Sequence, residues 1–154
     1  MKVVVPHTEF RPDLCRLLEA DGINARYMST VEHDDYWRCL YDVWAEGETF
    51  IVLEGDKYPA PGALRELWNC PHLWCIFPVP MRGTDVVSPY PSLACAKFDA
   101  ELMLAAPMLM DAVGDVDLGL GQREWSRLDL AVAGFTSNIA ACHTHEPGFV
   151  EHRH

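Results

Sequence analysis

Short apolar runs alternate with amphipathic segments along most of the chain. The valine-rich run that ends at Val5 is followed by Pro6, which is typical of a buried parallel strand leading into a loop. Leu14, Leu17 and Leu18 recur at the spacing of one helix face. The pattern predicts strands over residues 2–5, 25–28, 50–53, 74–77, 92–98 and 148–152. It predicts helices between residues 12 and 22, over 34–46, 62–68 and 99–106, and from 123 or 126 to 140, with loops over 78–91 and 111–121.

The order of these elements predicts the fold class. Strands that alternate with helices favour an α/β fold with a mostly parallel central sheet and helices on both faces. The sequence has no internal repeat and no linker, so we expect all 154 residues to form a single domain. Ligands of such sheets bind outside the carboxyl ends of the strands. We therefore expect the loops after Val5, Leu53 and Phe77 to converge on one crevice, with His7 and Thr8 on the first of them.

Composition and charge narrow the class of protein. Of the 154 residues, 49% are hydrophobic and 23% are charged, which is typical of a compact globular domain. The formal net charge of -11 provides no global positive field, so strong non-specific binding of nucleic acid is not expected. No apolar stretch approaches the roughly 18 to 20 residues of a membrane span, and the start does not look like a signal peptide. We expect a cytoplasmic protein, and the small size and apolar content suggest a homodimer.

The cysteines and the missing motifs narrow the chemistry further. No two of the 6 cysteines have the spacing of a zinc knuckle or a thioredoxin motif, and Cys75 and Cys95 lie in apolar segments. Buried, reduced thiols are the expected state. The chain contains no G-x-G-x-x-G after a predicted strand, no Walker lysine motif, no nucleophile elbow and no H-E-x-x-H. These absences argue against Rossmann dehydrogenases, P-loop enzymes, serine hydrolases and zincins.

Glu54, Gly55 and Asp56 directly follow the predicted strand that ends at Leu53. Two carboxylates separated by one small residue can face one hard divalent cation. A Mn²⁺ or Mg²⁺ ion held in this way bridges a diphosphate and neutralises the charge that develops as it leaves. A solvated turn is the alternative, because Glu, Gly and Asp are ordinary turn residues. The position at the end of a buried strand favours the metal site.

The end of the chain is rich in histidine. H-x-H pairs at residues 143–145 and 152–154 each place two imidazoles on one side of an extended strand. His152, on the last predicted strand, is the first choice for a metal ligand that points into the crevice, and His154 is the second. A structural zinc site is another interpretation, although it would recruit Cys142 without a second cysteine. A frayed terminus with solvated histidines is the third.

Two carboxylates near the start of the last predicted helix are candidates for a general base. Either Asp129 or Glu124 would deprotonate a substrate hydroxyl within hydrogen-bond reach. The two residues are five positions apart, so a helix places them on different faces and only one is expected to serve. The competing explanation is that acidic residues at a helix start stabilise the helix dipole.

The order of these parts resembles the A-type glycosyltransferase (GT-A) fold. It resembles in particular small glycosyltransferase-like proteins of bacterial and phage type, which carry a similar E-x-D-x-x-P-x-P-G-A stretch; here residues 54–63 read EGDKYPAPGA. Further similarities are Trp74-Cys75 with Phe77-Pro78, the strand over residues 93–98, Leu128-Asp129, and the closing H-x-H and E-H-R-H elements. The resemblance implies a GT-A-like nucleotide-sugar-binding sandwich. It also implies metal binding by Glu54 and Asp56, a base at Asp129 or Glu124, and His152 as the third metal ligand.

The leading hypothesis is therefore a metal-dependent glycosyltransferase, similar to hexosyltransferases, that moves a sugar from a nucleotide-diphosphate donor to an acceptor hydroxyl. In this hypothesis His7, Thr8, Glu54 and Asp56 bind the donor and its Mn²⁺ or Mg²⁺ ion. Two other classes remain open. One is a non-catalytic nucleotide-binding module that keeps the fold, and the other is a transition-metal-binding protein that uses its histidine tail.

Overall fold

Two β-sheets form the frame of the described part of the protein. The computed structural model describes residues 1–32, 34–80, 83–88, 90–116 and 125–153, of which 125–127 are described by their backbone alone. The central sheet has the spatial order β2 (Arg26–Ser29), β1 (Val3–His7), β3 (Phe50–Leu53), β6 (Cys95–Phe98), β5 (Trp74–Ile76) and β7 (His143–Thr144). A second sheet pairs β4 (Lys57–Pro59) with β8 (Val150–His152).

The central sheet is mostly parallel, as predicted. β1 is parallel to both β2 and β3, and β5 is parallel to β7. β6 is antiparallel to its two neighbours, with Phe50 paired to Phe98 on one side and Trp74 paired to Phe98 on the other. Since one reversed strand separates β3 from β5, the carboxyl ends of β1, β2, β3, β5 and β7 lie at the same edge of the sheet.

Helices cover both faces of the sheet, which confirms the predicted layering. The described helices are α1 (Pro12–Ala20), α2 (Asp35–Ala45), α3 (Ala63–Asn69), α4 (Ala100–Ala105), α5 (Leu109–Asp115) and α6 (Trp125–Ser137). Side chains of β3 alternate between two cores: Phe50 and Val52 pack with residues of α2, α4, α5 and α6, whereas Ile51 and Leu53 pack with those of α1 and α3. A strand that is buried on both faces needs apolar residues throughout, which explains the continuous apolar run.

The predicted loop over residues 111–121 is wrong in its first part, because residues up to Asp115 belong to α5. Met110 and Val113 bury one face of this helix in the core, and Trp37 Nε1 donates a hydrogen bond to the Met110 carbonyl at 2.9 Å. A Cβ atom on Gly114 would lie 2.8 Å from the Trp37 ring. The glycine is therefore explained by the close approach of an indole and not by a turn. Residues 117–121 lie outside the described part.

Three local features differ from the predicted pattern. The short strands β4 and β7 were not predicted, because two or three residues carry too little periodicity to be recognised. His7 does not lie on a loop; it pairs with Ser29 as the last residue of β1. The strand predicted over 92–98 begins at Cys95.

All 6 cysteines are free, and Cys15 and Cys142 are partly exposed while the others are buried. Among the described residues, the helices are too short or too polar to cross a membrane.

Candidate active site at the carboxyl edge of the sheet

A tight turn brings the acidic triplet against the end of β1. The backbone N–H of Gly55 donates a hydrogen bond to the Pro6 carbonyl at 2.9 Å. A Cβ atom at Gly55 would lie 2.6 Å from His7 Cβ, a separation that no side chain tolerates. Glycine at this position is therefore required by the close approach of two backbone segments. Its role is to place Glu54 and Asp56 beside His7 at the edge where the parallel strands end.

Glu54 is a buried carboxylate with two partners. Its side chain lies among core residues, and the residue is 8% exposed. The Tyr36 hydroxyl donates to Oε1 at 3.3 Å, and Lys57 Nζ lies 3.3 Å from Oε2. Burial raises the pKa of Glu54, and the Lys57 ammonium opposes that rise. Tyr36 and Lys57 thus occupy both oxygens of a carboxylate that would otherwise be costly to bury.

Asp56 is the more accessible carboxylate of the pair. Its Oδ1 lies 2.5 Å from Lys57 Nζ, and its Oδ2 lies 2.7 Å from His152 Nε2. Partial burial alone would raise the pKa of Asp56, but the hydrogen bonds and positive charges of Lys57 and His152 outweigh it and lower the pKa. Asp56 is therefore an anionic side chain at neutral pH, with 39% of its side chain exposed to solvent.

The second sheet brings the tail of the chain to this turn. β4 and β8 run antiparallel with Lys57 opposite His152, and the backbone N–H of Arg153 donates to the Asp56 carbonyl at 2.9 Å. Val150, the first residue of β8, pairs with Pro59 and is buried in the core, which anchors the strand. The structure thus brings together Asp56 and His152, two of the three predicted metal ligands, although nearly a hundred residues separate them in sequence.

Asp129 approaches the same region from α6. Ser92 Oγ donates to Asp129 Oδ2 at 2.9 Å, while Oδ1 is buried with no hydrogen-bond partner in the part of the chain that the structure describes. Burial, followed by the negative charge of Glu54, raises the pKa of Asp129 to about 7. Tyr36 interacts electrostatically with both carboxylates. Burial, followed by the charges of Glu54 and Asp129, raises the pKa of its hydroxyl. A buried carboxylate oxygen without a partner calls for an explanation, and a hydroxyl group bound there would supply one.

The other predicted site residues are His7, Thr8, Glu124 and His154. His7 Nδ1 is buried without a hydrogen-bond partner among the described residues, and burial lowers the pKa of this imidazole. Its ring lies 5.8 Å from that of Phe10 and 6.4 Å from that of Tyr27. Thr8 is exposed just beyond the end of β1. Glu124 and His154 lie outside the described residues.

A cavity of about 390 Å³ lies farther along the same edge, at the carboxyl ends of β5 and β7. Its walls include Ile76, Val87, Tyr90, Thr144 and His145. Part of the predicted loop over 78–91 therefore lines this cavity. Within the described part of the chain, Asp56 is not among the lining residues, so the cavity is a neighbour of the acidic turn and not part of it.

Three side chains of the site were missed by reasoning from the sequence. Lys57 directly follows the acidic triplet, in a segment whose composition is typical of an exposed turn, but it is 6% exposed and pairs with His152 of β8. The sequence pattern assigns Tyr36 neither to the core nor to the site, but its position on α2 lets its hydroxyl donate a hydrogen bond to Glu54. Ser92 lies before β6, and its hydroxyl donates a hydrogen bond to Asp129. Only Lys57 had a usable signal, which was a cation next to two carboxylates.

The donor set fits a divalent cation in part. Asp56 Oδ2 and His152 Nε2, 2.7 Å apart, are hydrogen-bonded to each other, and Nε2 would have to give up its proton before both atoms could bind one ion. A carboxylate oxygen combined with an imidazole nitrogen suits Mn²⁺ better than Mg²⁺, which prefers oxygen ligands. Glu54 fits less directly, because its oxygens already face Lys57 and Tyr36. An ion between the two carboxylates would have to replace the Lys57 ammonium there.

The mixed six-stranded sheet, its two helical layers and the polar turn at its carboxyl edge define an α/β protein of GT-A-like fold, as predicted. Solved structures share this fold. A197 from STIV has a TM-score of 0.63 at 11% identity over 94% of this chain and 81% of that chain. A glycosyltransferase involved in the glycosylation of the major capsid of PBCV-1 has a TM-score of 0.60 at 11% identity over 98% and 92%.

A third similar structure is the inositol-1-phosphate CTP transferase from T. maritima, with a TM-score of 0.50 at 9% identity over 98% of this chain and 69% of that chain. No protein-family model matches the chain, and no curated protein is similar to it in sequence. Likeness at these identities establishes the fold, and the activity must be argued from the site.

Proposed function

We propose that this protein is a metal-dependent glycosyltransferase that moves a sugar from a nucleotide-diphosphate donor to an acceptor hydroxyl. The observation that carries the proposal is the contact of Asp56 with His152, 2.7 Å apart, at the edge of the sheet where α/β folds bind their ligands. Two of the proteins with similar structures are named as transferases, one of sugars and one that uses CTP. The CTP transferase supports a donor that carries phosphate.

Asp56 and His152 hold the donor's divalent ion in this proposal, with Glu54 as the predicted third ligand. When bound, such an ion neutralises the charge that develops on the leaving diphosphate. The Lys57 ammonium lies between Glu54 and Asp56, so it would have to move aside for an ion that both carboxylates hold, and its positive charge would stay close to the diphosphate. His7 and Thr8 lie at the end of β1 beside this turn, where they bind the nucleotide part of the donor.

Asp129 acts as the general base. A base is most effective when its pKa is close to the working pH, and burial together with the charge of Glu54 raises the pKa of Asp129 to about 7. Ser92 holds Oδ2, which leaves Oδ1 for the acceptor hydroxyl. The acceptor oxygen bonds to the anomeric carbon while the bond from that carbon to the diphosphate oxygen breaks. The diphosphate leaves with the electron pair, and Asp129 takes the proton. Glu124 is the alternative base.

Calorimetric titration of the purified chain with uridine and guanosine diphosphates, with and without Mn²⁺, tests the donor site. We expect Mn²⁺ to strengthen binding of one nucleotide and Asp56→Asn to remove most of that gain. The matched control is Asp115→Asn, which changes an exposed aspartate at the end of α5 and should leave binding unchanged. Affinities that respond neither to Mn²⁺ nor to Asp56→Asn would rule out the metal-dependent donor site.

A non-catalytic nucleotide-binding module is the second candidate. It is favoured by Lys57, whose ammonium contacts both carboxylates and can by itself offset their charge beside a diphosphate. This candidate predicts nucleotide binding that is independent of Mn²⁺ and is lost in Lys57→Gln. Release of sugar from a radiolabelled nucleotide-sugar distinguishes the two: the transferase turns the donor over, slowly in water and faster with an acceptor, whereas the module does not.

A further inference from the structure

A second cluster of ligand-type side chains lies at the far edge of the central sheet. Within the described part of the chain, Cys70, His143 and His145 place one sulfur and two imidazole nitrogens within 4.8 Å of one another. His143 and His145 alternate along β7 and its extension, so their rings lie on one side of the edge strand. Cys70 closes α3 directly beneath them. Neither the acidic turn nor its proposed ion involves these residues.

The contacts of His145 are those of a metal-binding histidine. Its Nδ1 lies 3.1 Å from Glu66 Oε1, and its side chain is 10% exposed. Its other nitrogen, Nε2, is buried with no hydrogen-bond partner among the described residues. A carboxylate at Nδ1 fixes the proton on that nitrogen and leaves the Nε2 lone pair available, which is the usual outer arrangement around a metal-bound histidine.

The remaining members are held in place by buried contacts. Lys97, which is 2% exposed, donates from Nζ to the Cys70 carbonyl at 2.5 Å and to the His72 carbonyl at 3.4 Å. The His72 ring stacks on the His143 ring with centroids 4.2 Å apart, and the rings of His143 and His145 meet edge to face at 4.9 Å. The turn after α3 and the edge strand are therefore fixed relative to each other.

We propose that Cys70, His143 and His145 form a site for a transition-metal ion of the Zn²⁺ type. One thiolate with two imidazoles is a borderline-soft set that Zn²⁺ prefers over Mg²⁺ or Mn²⁺, and three protein ligands leave a fourth position for water or for a neighbouring side chain. On binding, the Cys70 thiol releases its proton to solvent as the sulfur–metal bond forms. The ion would join the end of α3 to β7, a two-residue strand that otherwise has one neighbour in the sheet.

Titration of the untagged full-length chain with Co²⁺ and then Zn²⁺ tests the site. Cobalt bound to a thiolate has a charge-transfer absorption in the near ultraviolet that cobalt bound to oxygen and nitrogen lacks. We expect one such Co²⁺ per chain, displaced by Zn²⁺. The absorption should disappear in Cys70→Ser and persist in the matched control Cys142→Ser, a nearby, partly exposed cysteine. Glu66→Gln, which acts only through His145, should weaken binding by about 10- to 100-fold.

Two further variants keep the test decisive. If Cys70→Ser does not fold, as judged by circular dichroism, His145→Gln on the sheet edge takes its place and should also lose the absorption. Asp56→Asn should leave the absorption unchanged, which separates this site from the proposed donor site. A wild-type chain without the thiolate absorption, or an absorption that survives Cys70→Ser and His145→Gln, would overturn the proposal.

Discussion

Replacing Asp129 by asparagine should change the stability of the protein in a pH-dependent way. Burial and the charge of Glu54 raise the pKa of this carboxyl from 3.8 to about 7. The folded state therefore keeps the proton over a pH range in which the unfolded chain has lost it. Since the folded state binds more protons between those two values, the contribution of Asp129 to stability falls as pH rises through this range and levels off above about pH 7.

A pKa difference of this size corresponds to ~4 kcal/mol of unfolding free energy at most. Part of this free energy belongs to Glu54, because each of the two carboxylates makes ionisation of the other less favourable. We therefore expect about 2 kcal/mol for Asp129 alone. Asparagine resembles the protonated acid and can keep the hydrogen bond to Ser92. The variant should therefore match the wild type near pH 4 and exceed its stability by about 2 kcal/mol at pH 8.

Urea unfolding followed by tryptophan fluorescence at several pH values measures this difference. Asp115→Asn, an exposed change on α5, is the control and should show no pH-dependent difference from the wild type. Removal of the base should also lower kcat by about 10²- to 10⁴-fold. A stability difference between wild type and Asp129→Asn that stays constant from pH 4 to pH 8 would refute the assignment of a raised pKa to this residue.

Two further predictions concern the acidic turn. Gly55→Ala forces a Cβ to within 2.6 Å of His7 Cβ and should destabilise the fold by about 1 to 3 kcal/mol. In thermal unfolding, Gly134→Ala is its control: nothing lies within 4 Å of that Cβ in α6, so alanine should stabilise the helix by about 0.5 to 1 kcal/mol. Lys57→Gln removes the ammonium between Glu54 and Asp56 and should tighten Mn²⁺ binding at least about tenfold in calorimetry. Weaker Mn²⁺ binding in Lys57→Gln, or an unchanged melting temperature in Gly55→Ala, would contradict the geometry on which these predictions depend.

The layers of the fold could be predicted because burial leaves a local trace. β3 reads as four apolar residues in a row, since side chains on both faces enter a core. The helix α2 shows its buried face through Leu40 and Trp44 at helical spacing. Such periodicity is a property of the local sequence and does not depend on the topology of the fold. The reversed direction of β6 leaves no comparable trace, because a doubly buried strand looks the same in either direction.

The candidate site could be predicted only where it follows an element in sequence. Asp56 is the third residue after the end of β3, so its place at the sheet edge followed from the strand itself. Helix α5 shows the opposite case. The sequence favoured a loop because Asp and Gly are frequent in turns, and tertiary packing overrode that preference when Trp37 took the space that a side chain at Gly114 would fill.

The amino-acid sequence by itself determined the alternation of strands and helices, the apolar composition of the central strands and the placement of carboxylates at the end of β3. Tertiary structure decided which distant groups meet there. The pairing of β4 with β8 set His152 against Asp56 and buried Lys57, and α6 carried Asp129 into the electrostatic field of Glu54. Periodicity is a property of neighbouring residues and can be read locally, whereas charge, burial and hydrogen bonding between remote segments exist only after the chain has folded.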